Sequence, residues 1–153
     1  MGTINKQKIH SIFVEMKNNR ELAFNKLYSE YNKLVYAIAF SILKNKEDSE
    51  EVTQTTLMKI WKLENEKLPN ANEASWLYTT TKNETINYIK SKKQEVNLED
   101  IYYVSEENKD IEEIIEQDKY NRIIAKLKKD EQEIVSLRIL SNLSFREISQ
   151  LLN

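Results

Sequence analysis

Residues 48–61 read DSEEVTQTTLMKIW, and this stretch indicates the fold class most clearly. Asp48 is predicted to be the N-cap of a helix, with Glu51 completing a capping box three residues later. The side chains expected to be buried recur at helical spacing: Val52, Thr56, Leu57, Ile60 and Trp61. The stretch is therefore predicted to be an amphipathic helix with one buried face and one exposed polar face.

The composition of the whole chain also favours helices. The 153 residues include one glycine and one proline, whereas sheet proteins need many turn residues. The net charge of −2 is unevenly spread, because residues 1–93 carry +4, residues 94–118 carry −9 and residues 119–153 carry +3. We therefore expect an all-α fold of two small helical modules joined by an acidic linker.

Apolar periodicity places the helices within these modules. The first module, residues 1–93, is predicted to hold helices at about 4–17, 21–43, 48–61 and 73–92. Residues 94–110 are predicted to be the acidic linker. The second module, residues 111–153, is predicted to hold helices at about 111–128, 131–140 and 145–152. The last of these follows a second capping box, Ser144 with Glu147.

Several function classes lack the residues that they need. The chain has no cysteine and one histidine, His10, which is expected to be a solvent-exposed bystander. It contains no glycine-rich phosphate loop and no metal-ligand cluster. Neither a membrane-spanning run nor a signal peptide is recognisable. We therefore expect a cytoplasmic protein that is not an enzyme and has no metal, cofactor, membrane partner or small-molecule substrate.

Four segments, at residues 23–36, 48–61, 74–90 and 127–152, resemble one family in order and spacing. This family is the extracytoplasmic-function (ECF) sigma factors, compact members of the sigma-70 family of bacterial RNA polymerase sigma factors. The resemblance implies a region 2-like helical bundle in residues 1–93. It also implies a partial region 4-like helix-turn-helix in residues 111–153, from which the recognition helix is expected to be absent.

The resemblance also implies two sets of binding residues. One set would bind the clamp of the polymerase largest subunit and comprises Glu51, Gln54, Thr55 and Met58. The other would bind the −10 region of promoter DNA and comprises Asn70, Asn72, Trp76, Thr80, Lys82, Asn83, Lys90, Lys92 and Lys93. Amides suit base edges and lysines suit phosphates. The alternative is that Trp76 packs in the core and that the charged residues are solvated surface.

Some positions depart from the family pattern. Asn87 stands where an aspartate is common, and Thr79 and Thr81 replace the usual basic and small residues.

The acidic linker is interpreted either as a stand-in for nucleic acid in a basic channel or as a solvated tether. An apolar face near the end of the chain is expected to lie uncovered, and its residues are Phe145, Ile148, Leu151 and Leu152.

The sequence thus predicts a transcription initiation sigma factor. It would bind core RNA polymerase and direct recognition and melting of the promoter −10 element. An anti-sigma factor is a further candidate partner. The alternative hypothesis is a non-initiating interaction protein, a truncated sigma-like regulator that binds polymerase or a regulatory partner.

Overall fold

The computed structural model describes residues 5–98, 119, 122–123, 125–141 and 143–152. Within these residues the regular elements are all helical, which confirms the all-α prediction. They are α1 (Lys6–Met16), α2 (Arg20–Leu43), α3 (Lys46–Lys62), a 3-10 turn (Asn65–Lys67), α4 (Glu73–Leu98), α5 (Lys129–Ser141) and α6 (Phe145–Leu152). The predicted linker from residue 99 onward, and residues 111–118 of the helix predicted at about 111–128, lie outside the described residues.

The boundary between α2 and α3 is decided by local capping. Helix α2 ends at Leu43 as predicted, since Lys44 takes a left-handed conformation with φ 55°. Helix α3 begins earlier than predicted, because the Asn45 side chain accepts a 2.9 Å hydrogen bond from the backbone N–H of Asp48. Asn45 is therefore the N-cap, and the prediction of Asp48 as N-cap was wrong. Both residue types cap helices well, so the sequence did not separate them.

The core is formed by the apolar faces of α1 to α4. The apolar side of α1 is buried, and so is the predicted apolar side of α3 apart from the half-buried Trp61. These residues are Ile9, Ile12, Phe13 and Met16 in α1 and Val52, Thr56, Leu57 and Ile60 in α3. The burial fixes which face of α3 turns outward.

Helix α4 is longer than the sequence predicted. It continues to Leu98, so the first five residues of the predicted linker are helical. Two buried threonines, of which Thr81 departs from the family pattern, are accommodated within the helix. Thr81 is buried and its hydroxyl donates to the Leu77 carbonyl at 2.7 Å, while Thr85 donates in the same way to Thr81. Each buried hydroxyl thus has a partner one turn earlier.

Helices α5 and α6 contribute to the same hydrophobic core as α1 to α4. Leu137, Leu143, Ile148 and Leu151 are all buried in it. The expectation of an uncovered apolar face was therefore wrong for Ile148 and Leu151, which are 2% and 4% exposed. The physical reason is that the helical bundle of the first module covers them. The division into modules at residues 93 and 111 stays a prediction.

The start of α6 follows the predicted capping box. The backbone N–H of Ser144 donates to Glu147 Oε1 at 3.2 Å, and the N–H of Glu147 donates to Ser144 Oγ at 3.1 Å. Phe145 remains 63% exposed beside the Arg138 guanidinium, 5.7 Å from the ring centroid. The capping box thus begins a helix whose inner face is buried and whose first aromatic ring faces solvent.

Candidate functional site

The four predicted polymerase-binding residues form one exposed stripe along α3. Glu51, Gln54, Thr55 and Met58 are all exposed, and Met58 is 49% accessible. Their offsets of three, four and seven residues place them on one face of a helix. That face lies opposite Val52, Thr56 and Ile60, which are buried. The structure therefore brings the predicted residues together, and their role remains a prediction.

One end of this stripe is anchored by a tyrosine that the sequence analysis missed. The Tyr88 hydroxyl of α4 donates to Asp48 Oδ1 at 2.6 Å and lies 3.3 Å from Glu51 Oε2. Burial, and then the hydrogen bond and negative charge of Asp48, raise the pKa of Tyr88 well above its ordinary value. The phenol thus stays a donor and helps to orient Glu51. No local pattern indicates a contact between residues so far apart in the chain.

A shallow groove runs beside the stripe, between α2 and α3. Its volume is about 320 Å³, and its lining residues include Tyr28, Asn32, Tyr36, Thr53 and Gln54. Tyr28 has the helical spacing of the apolar face of α2, but its side chain is 48% exposed. Gln54 belongs to both the stripe and the groove. The exposed polar face of α3 is therefore continuous with a partly aromatic surface of α2.

The loop between α3 and α4 is held by an arginine from the start of α2. Arg20 donates to the Trp61 carbonyl at 2.9 Å and to Asn65 Oδ1 at 2.6 Å. A cation near the last carbonyls of α3 is favourable because they carry the negative end of the helix dipole. Leu68 is buried beneath the loop. These contacts fix the loop that carries Asn70 and Asn72.

The two predicted base-reading asparagines are both exposed but differ in setting. The Asn70 side-chain oxygen accepts a hydrogen bond from Lys17. Asn72 has φ 53°, and its carbonyl accepts from the Trp76 N–H at 3.0 Å, which begins α4. Asparagine tolerates this left-handed conformation better than most residues. The amides thus lie on a defined turn in front of α4.

Trp76 packs against the core. Its ring meets the buried Phe13 ring edge-on, with centroids 5.5 Å apart and an interplanar angle of 77°. It is partly buried, as is Thr80 one turn later. This packing supports the alternative interpretation of Trp76 as a core residue. Asn83 lies exposed further along the same helix.

The predicted phosphate-binding lysines fall into two groups. Lys90, Lys92 and Lys93 are exposed towards the C-terminal part of α4, with Lys92 Nζ 5.5 Å from the Tyr88 ring centroid. Lys82 is only partly exposed, and its Nζ lies 3.9 Å from Glu133 Oε1 of α5. The nine predicted DNA-binding residues are therefore not equally accessible.

Tyr78 completes the contact between α4 and α5. Its hydroxyl donates to Glu133, and Lys82 Nζ lies 5.5 Å from the centroid of its ring. Burial, followed by the hydrogen bond and charge of Glu133, raises the pKa of Tyr78 well above its ordinary value. The neutral phenol therefore remains a hydrogen-bond donor to the carboxylate. The sequence analysis did not find this cluster, because Glu133 lies 55 residues from Tyr78.

A cleft of about 700 Å³ lies between α1, α6 and residues 70–75, which comprise the end of the loop and the first residues of α4 and are called the 70–75 loop below. Its lining residues include Lys6, Asn70, Asn72, Ser75, Glu147 and Gln150. His10 lies at its edge, where its Nδ1 pairs with the buried Glu73 carboxylate at the start of α4. His10 is exposed, as expected. It is not a bystander, however, because the fold brings α1 against α4 and pairs its ring with Glu73.

The described residues lack two other kinds of site. Among them, no three His, Cys, Asp or Glu side chains cluster in a way that would hold a metal ion. No helix in this part of the chain is both long and apolar enough to cross a membrane.

Comparison with known proteins finds one family, and its model spans the helices that carry both predicted surfaces. Residues 27–95 match the model of sigma-70 region 2. No curated protein and no solved structure gave a match. The matched range runs from Leu27 of α2 through α3 and most of α4, and so includes the exposed stripe and the loop in front of α4. Residues 27–95 are thus similar to sigma-70 region 2.

Proposed function

We propose that this chain is a sigma-type transcription initiation factor of the ECF subclass that binds core RNA polymerase and promoter DNA. One observation carries the proposal. Glu51, Gln54, Thr55 and Met58 form a continuous exposed stripe within the residues that match sigma-70 region 2. These are also the positions that the sequence resemblance assigns to the polymerase clamp.

The stripe has the chemistry to bind a basic helical surface. Glu51 supplies a carboxylate, and Gln54 and Thr55 supply uncharged hydrogen-bonding groups. Met58 offers a flexible apolar side chain at the other end. Because the opposite face of α3 is buried, the stripe is held in place before it binds, which lowers the entropic cost of association. The partner would be a basic coiled coil on the largest-subunit clamp.

The DNA-binding part of the proposal rests on the 70–75 loop and α4. Asn70 and Asn72 would read exposed base edges of the melted −10 strand, with Asn83 further along the helix. Lys90, Lys92 and Lys93 would neutralise phosphates. Trp76 would support the loop from beneath, through its contact with Phe13. Lys82 would contact a phosphate only after its contact with Glu133 is broken.

The proposal also covers the two C-terminal helices, α5 and α6. Helices α5 and α6, separated by residues 142–144, resemble the first part of a region 4 helix-turn-helix. Arg138 and Arg146 are exposed there and would contact phosphates without reading sequence. An anti-sigma factor remains a candidate partner. The alternative of a non-initiating, truncated regulator is not favoured by the family match.

The test measures binding to purified core polymerase and transcription from a library of promoter fragments. The double variant Glu51→Ala, Gln54→Ala is expected to weaken core binding about tenfold or more, since central interface residues often contribute 1 kcal/mol or more. The control Gln7→Ala, Glu66→Ala removes the same two side-chain types from exposed positions outside α3.

Two results would contradict the proposal at different levels. Core binding that both double variants leave unchanged would remove the stripe from the polymerase interface. Core binding without promoter-dependent transcripts would exclude initiation and favour the non-initiating regulator.

A further inference from the structure

Helix α1 contacts both the loop before α4 and the first turn of α4. It lies outside the range that matches sigma-70 region 2, which begins at Leu27. Its inner face nevertheless packs with the helices of that range, since Ile9, Phe13 and Met16 are buried in the common core. Two polar side chains, one from α1 and one from its C-cap, reach the segment that carries the proposed base-reading residues. These contacts indicate a role for α1 that the family match does not supply.

The first polar contact joins His10 to the start of α4. Glu73 is the first residue of α4 and is 5% exposed, and its Oε1 lies 2.5 Å from His10 Nδ1. An ionised carboxylate only accepts hydrogen bonds, so the His10 ring is the donor. A carboxylate so far removed from water is costly unless a donor satisfies it. Because Glu73 directly follows Asn72, whose backbone is left-handed at φ 53°, the pair fixes the chain at the turn that presents the Asn72 amide.

The second polar contact holds Asn70 in the same loop. Lys17, the C-cap of α1, donates its ammonium to Asn70 Oδ1. The Lys17 backbone carbonyl accepts from Asn65 Nδ2 at 3.3 Å. Lys17 thus joins both ends of the 65–70 segment to the end of α1. With Oδ1 occupied by the ammonium, the Nδ2 donors of Asn70 are the groups left to face a base.

A ring contact supports the two polar contacts from the core side. The Phe13 ring of α1 meets the Trp76 ring of α4 edge-on, with centroids 5.5 Å apart. Phe13 follows His10 by three residues and precedes Lys17 by four, so the three side chains share one face of α1. One face of α1 therefore contacts the loop and the first turn of α4 together.

We propose that α1 positions the base-reading residues of this chain, with His10 and Lys17 as its positioning residues. The inference rests on the proposed function, which assigns base contacts to Asn70 and Asn72. Both amides are exposed but already held, so a melted strand meets a loop of fixed shape. Preorganisation of this kind raises affinity, because the loop loses little conformational freedom on binding.

Lys17 also affects which base is preferred. An amide with both groups free pairs with adenine through a donor and an acceptor at once. Asn70 instead offers its donors, which suits a base edge rich in acceptors, such as that of thymine or guanine. Lys17 is therefore a specificity-determining residue, although its ammonium is directed at a protein side chain.

The test uses the full chain bound to core polymerase and a fluorescent single-stranded oligonucleotide. The oligonucleotide carries the −10 region of the most active promoter from the promoter library, and anisotropy gives its affinity. His10→Ala is expected to weaken oligonucleotide binding about tenfold, because Glu73 loses its donor and a smaller fraction of molecules keeps the bound loop shape. Core binding should stay within about twofold of wild type, since the stripe on α3 is a separate surface.

Three further variants separate positioning from a general loss of stability. His10→Asn keeps an amide donor near the place of Nδ1 and should bind the oligonucleotide within about threefold of wild type. The double variant His10→Ala, Glu73→Gln should recover most of the affinity, because a buried neutral amide costs less than a buried carboxylate. Val35→Ala is the control, since it leaves a cavity in the core of α2 without removing either polar contact.

The Lys17 contact is tested by base preference. Oligonucleotides that differ from the probe by one base across the −10 region give the preference at each position. Lys17→Met frees Asn70 Oδ1 and is expected to shift the ratio of affinities for adenine and thymine at one position by about threefold or more towards adenine. Lys8→Met removes the same charge from α1, where Lys8 pairs with Glu30 instead of the loop, and should leave every ratio unchanged.

The outcomes separate positioning from the proposed function. If wild type and His10→Ala bind the oligonucleotide equally tightly on polymerase, positioning by His10 is wrong and the proposed function stands. An equal loss in Val35→Ala would assign the effect to stability and overturn positioning as well. A wild-type complex that binds no oligonucleotide would refute the proposed function and the positioning role with it. Equal base preferences in Lys17→Met and Lys8→Met would exclude Lys17 as a specificity-determining residue.

Discussion

Helices α3 and α4 each carry a predicted binding surface, and the two surfaces differ in how open they are. The stripe Glu51, Gln54, Thr55 and Met58 on α3 is exposed along its whole length. On α4, Lys90, Lys92 and Lys93 are exposed, but Trp76 packs on Phe13 and Lys82 is paired with Glu133. The difference comes from what lies above each helix, because α5 contacts α4 through Glu133 and leaves the outer face of α3 free.

A polar face on a helix therefore does not by itself identify an exposed binding surface. Both surfaces have the same local signature, which is polar residues opposite an apolar stripe. Whether such a face meets solvent or another helix depends on segments far along the chain. Four predictions test this difference, and they follow in order from the largest expected free-energy change to the smallest.

The largest effect is expected from the two faces of α3. Ile60 is fully buried and Met58 is 49% exposed, two residues apart. Ile60→Ala should lower the free energy of unfolding by about 2 to 5 kcal/mol, because it leaves a cavity. Met58→Ala should change it by less than about 0.5 kcal/mol while weakening polymerase binding. Urea denaturation measures the free energy of unfolding of both variants. Similar losses in the two would show that the stripe belongs to the core.

A smaller loss of stability is expected at high pH, and it comes from Tyr31 in the core beneath both surfaces. Burial, and then the negative charge of Glu30, raise the pKa of Tyr31 to about 12 from 10. A folded-state pKa above the unfolded value gives stability that is present below pH 10 and lost as the pH rises to about 12. This loss is no more than about 3 kcal/mol.

The control for this prediction is Tyr31→Phe, which lacks the ionisable hydroxyl. Denaturation of both proteins between pH 9 and 12 gives the difference in their free energies of unfolding. Parallel stability curves for the two proteins would mean that the Tyr31 hydroxyl titrates normally in the folded chain.

The open lysines of α4 should govern the salt dependence of DNA binding. Replacing Lys90, Lys92 and Lys93 by Gln should lower the salt slope for single-stranded DNA by about 2 and the affinity by about 1 to 2 kcal/mol. The matched control replaces Lys8, Lys26 and Lys33, which are exposed on α1 and α2. Equal changes of slope in the two triple variants would indicate non-specific charge rather than a surface on α4.

The smallest change in the free energy of unfolding is expected at the start of α6. Ser144→Ala removes a hydroxyl that accepts from the Glu147 N–H at 3.1 Å, at a cost of about 1 kcal/mol. The amides of α6 should exchange with solvent faster. Ser29→Ala, at an exposed position of α2, is the control. Faster exchange across the whole bundle would show that α6 opens only with global unfolding.

Much of the fold could be predicted because its information is local. The apolar spacing of α1 and α3 identified their buried faces, and Ser144 with Glu147 marked the start of α6. The start of α3 could not be predicted, because Asn45 and Asp48 are both good N-caps and only the folded backbone selects one. Likewise Tyr28 has the helical spacing of a core residue, yet its side chain is half-exposed beside a groove.

The candidate site also combines features that the sequence predicted with features that it did not. Glu51, Gln54, Thr55 and Met58 could be placed on one exposed face from the sequence, since helical geometry alone relates them. The contacts of Tyr88 with Asp48, of His10 with Glu73 and of Tyr78 with Glu133 could not. Each joins two helices that are distant in the chain, and no residue spacing encodes such a meeting.

The sequence by itself determined that the chain is helical and which face of each long helix is apolar, since both follow from residue types and their period. Only the tertiary structure decided which polar faces stay open. Helices α5 and α6 bury Leu137, Leu143, Ile148 and Leu151 in the core shared with α1 to α4. That burial carries Glu133 to Lys82 and Gln150 to the 70–75 loop cleft, because apolar burial, rather than any polar motif, positions the two helices.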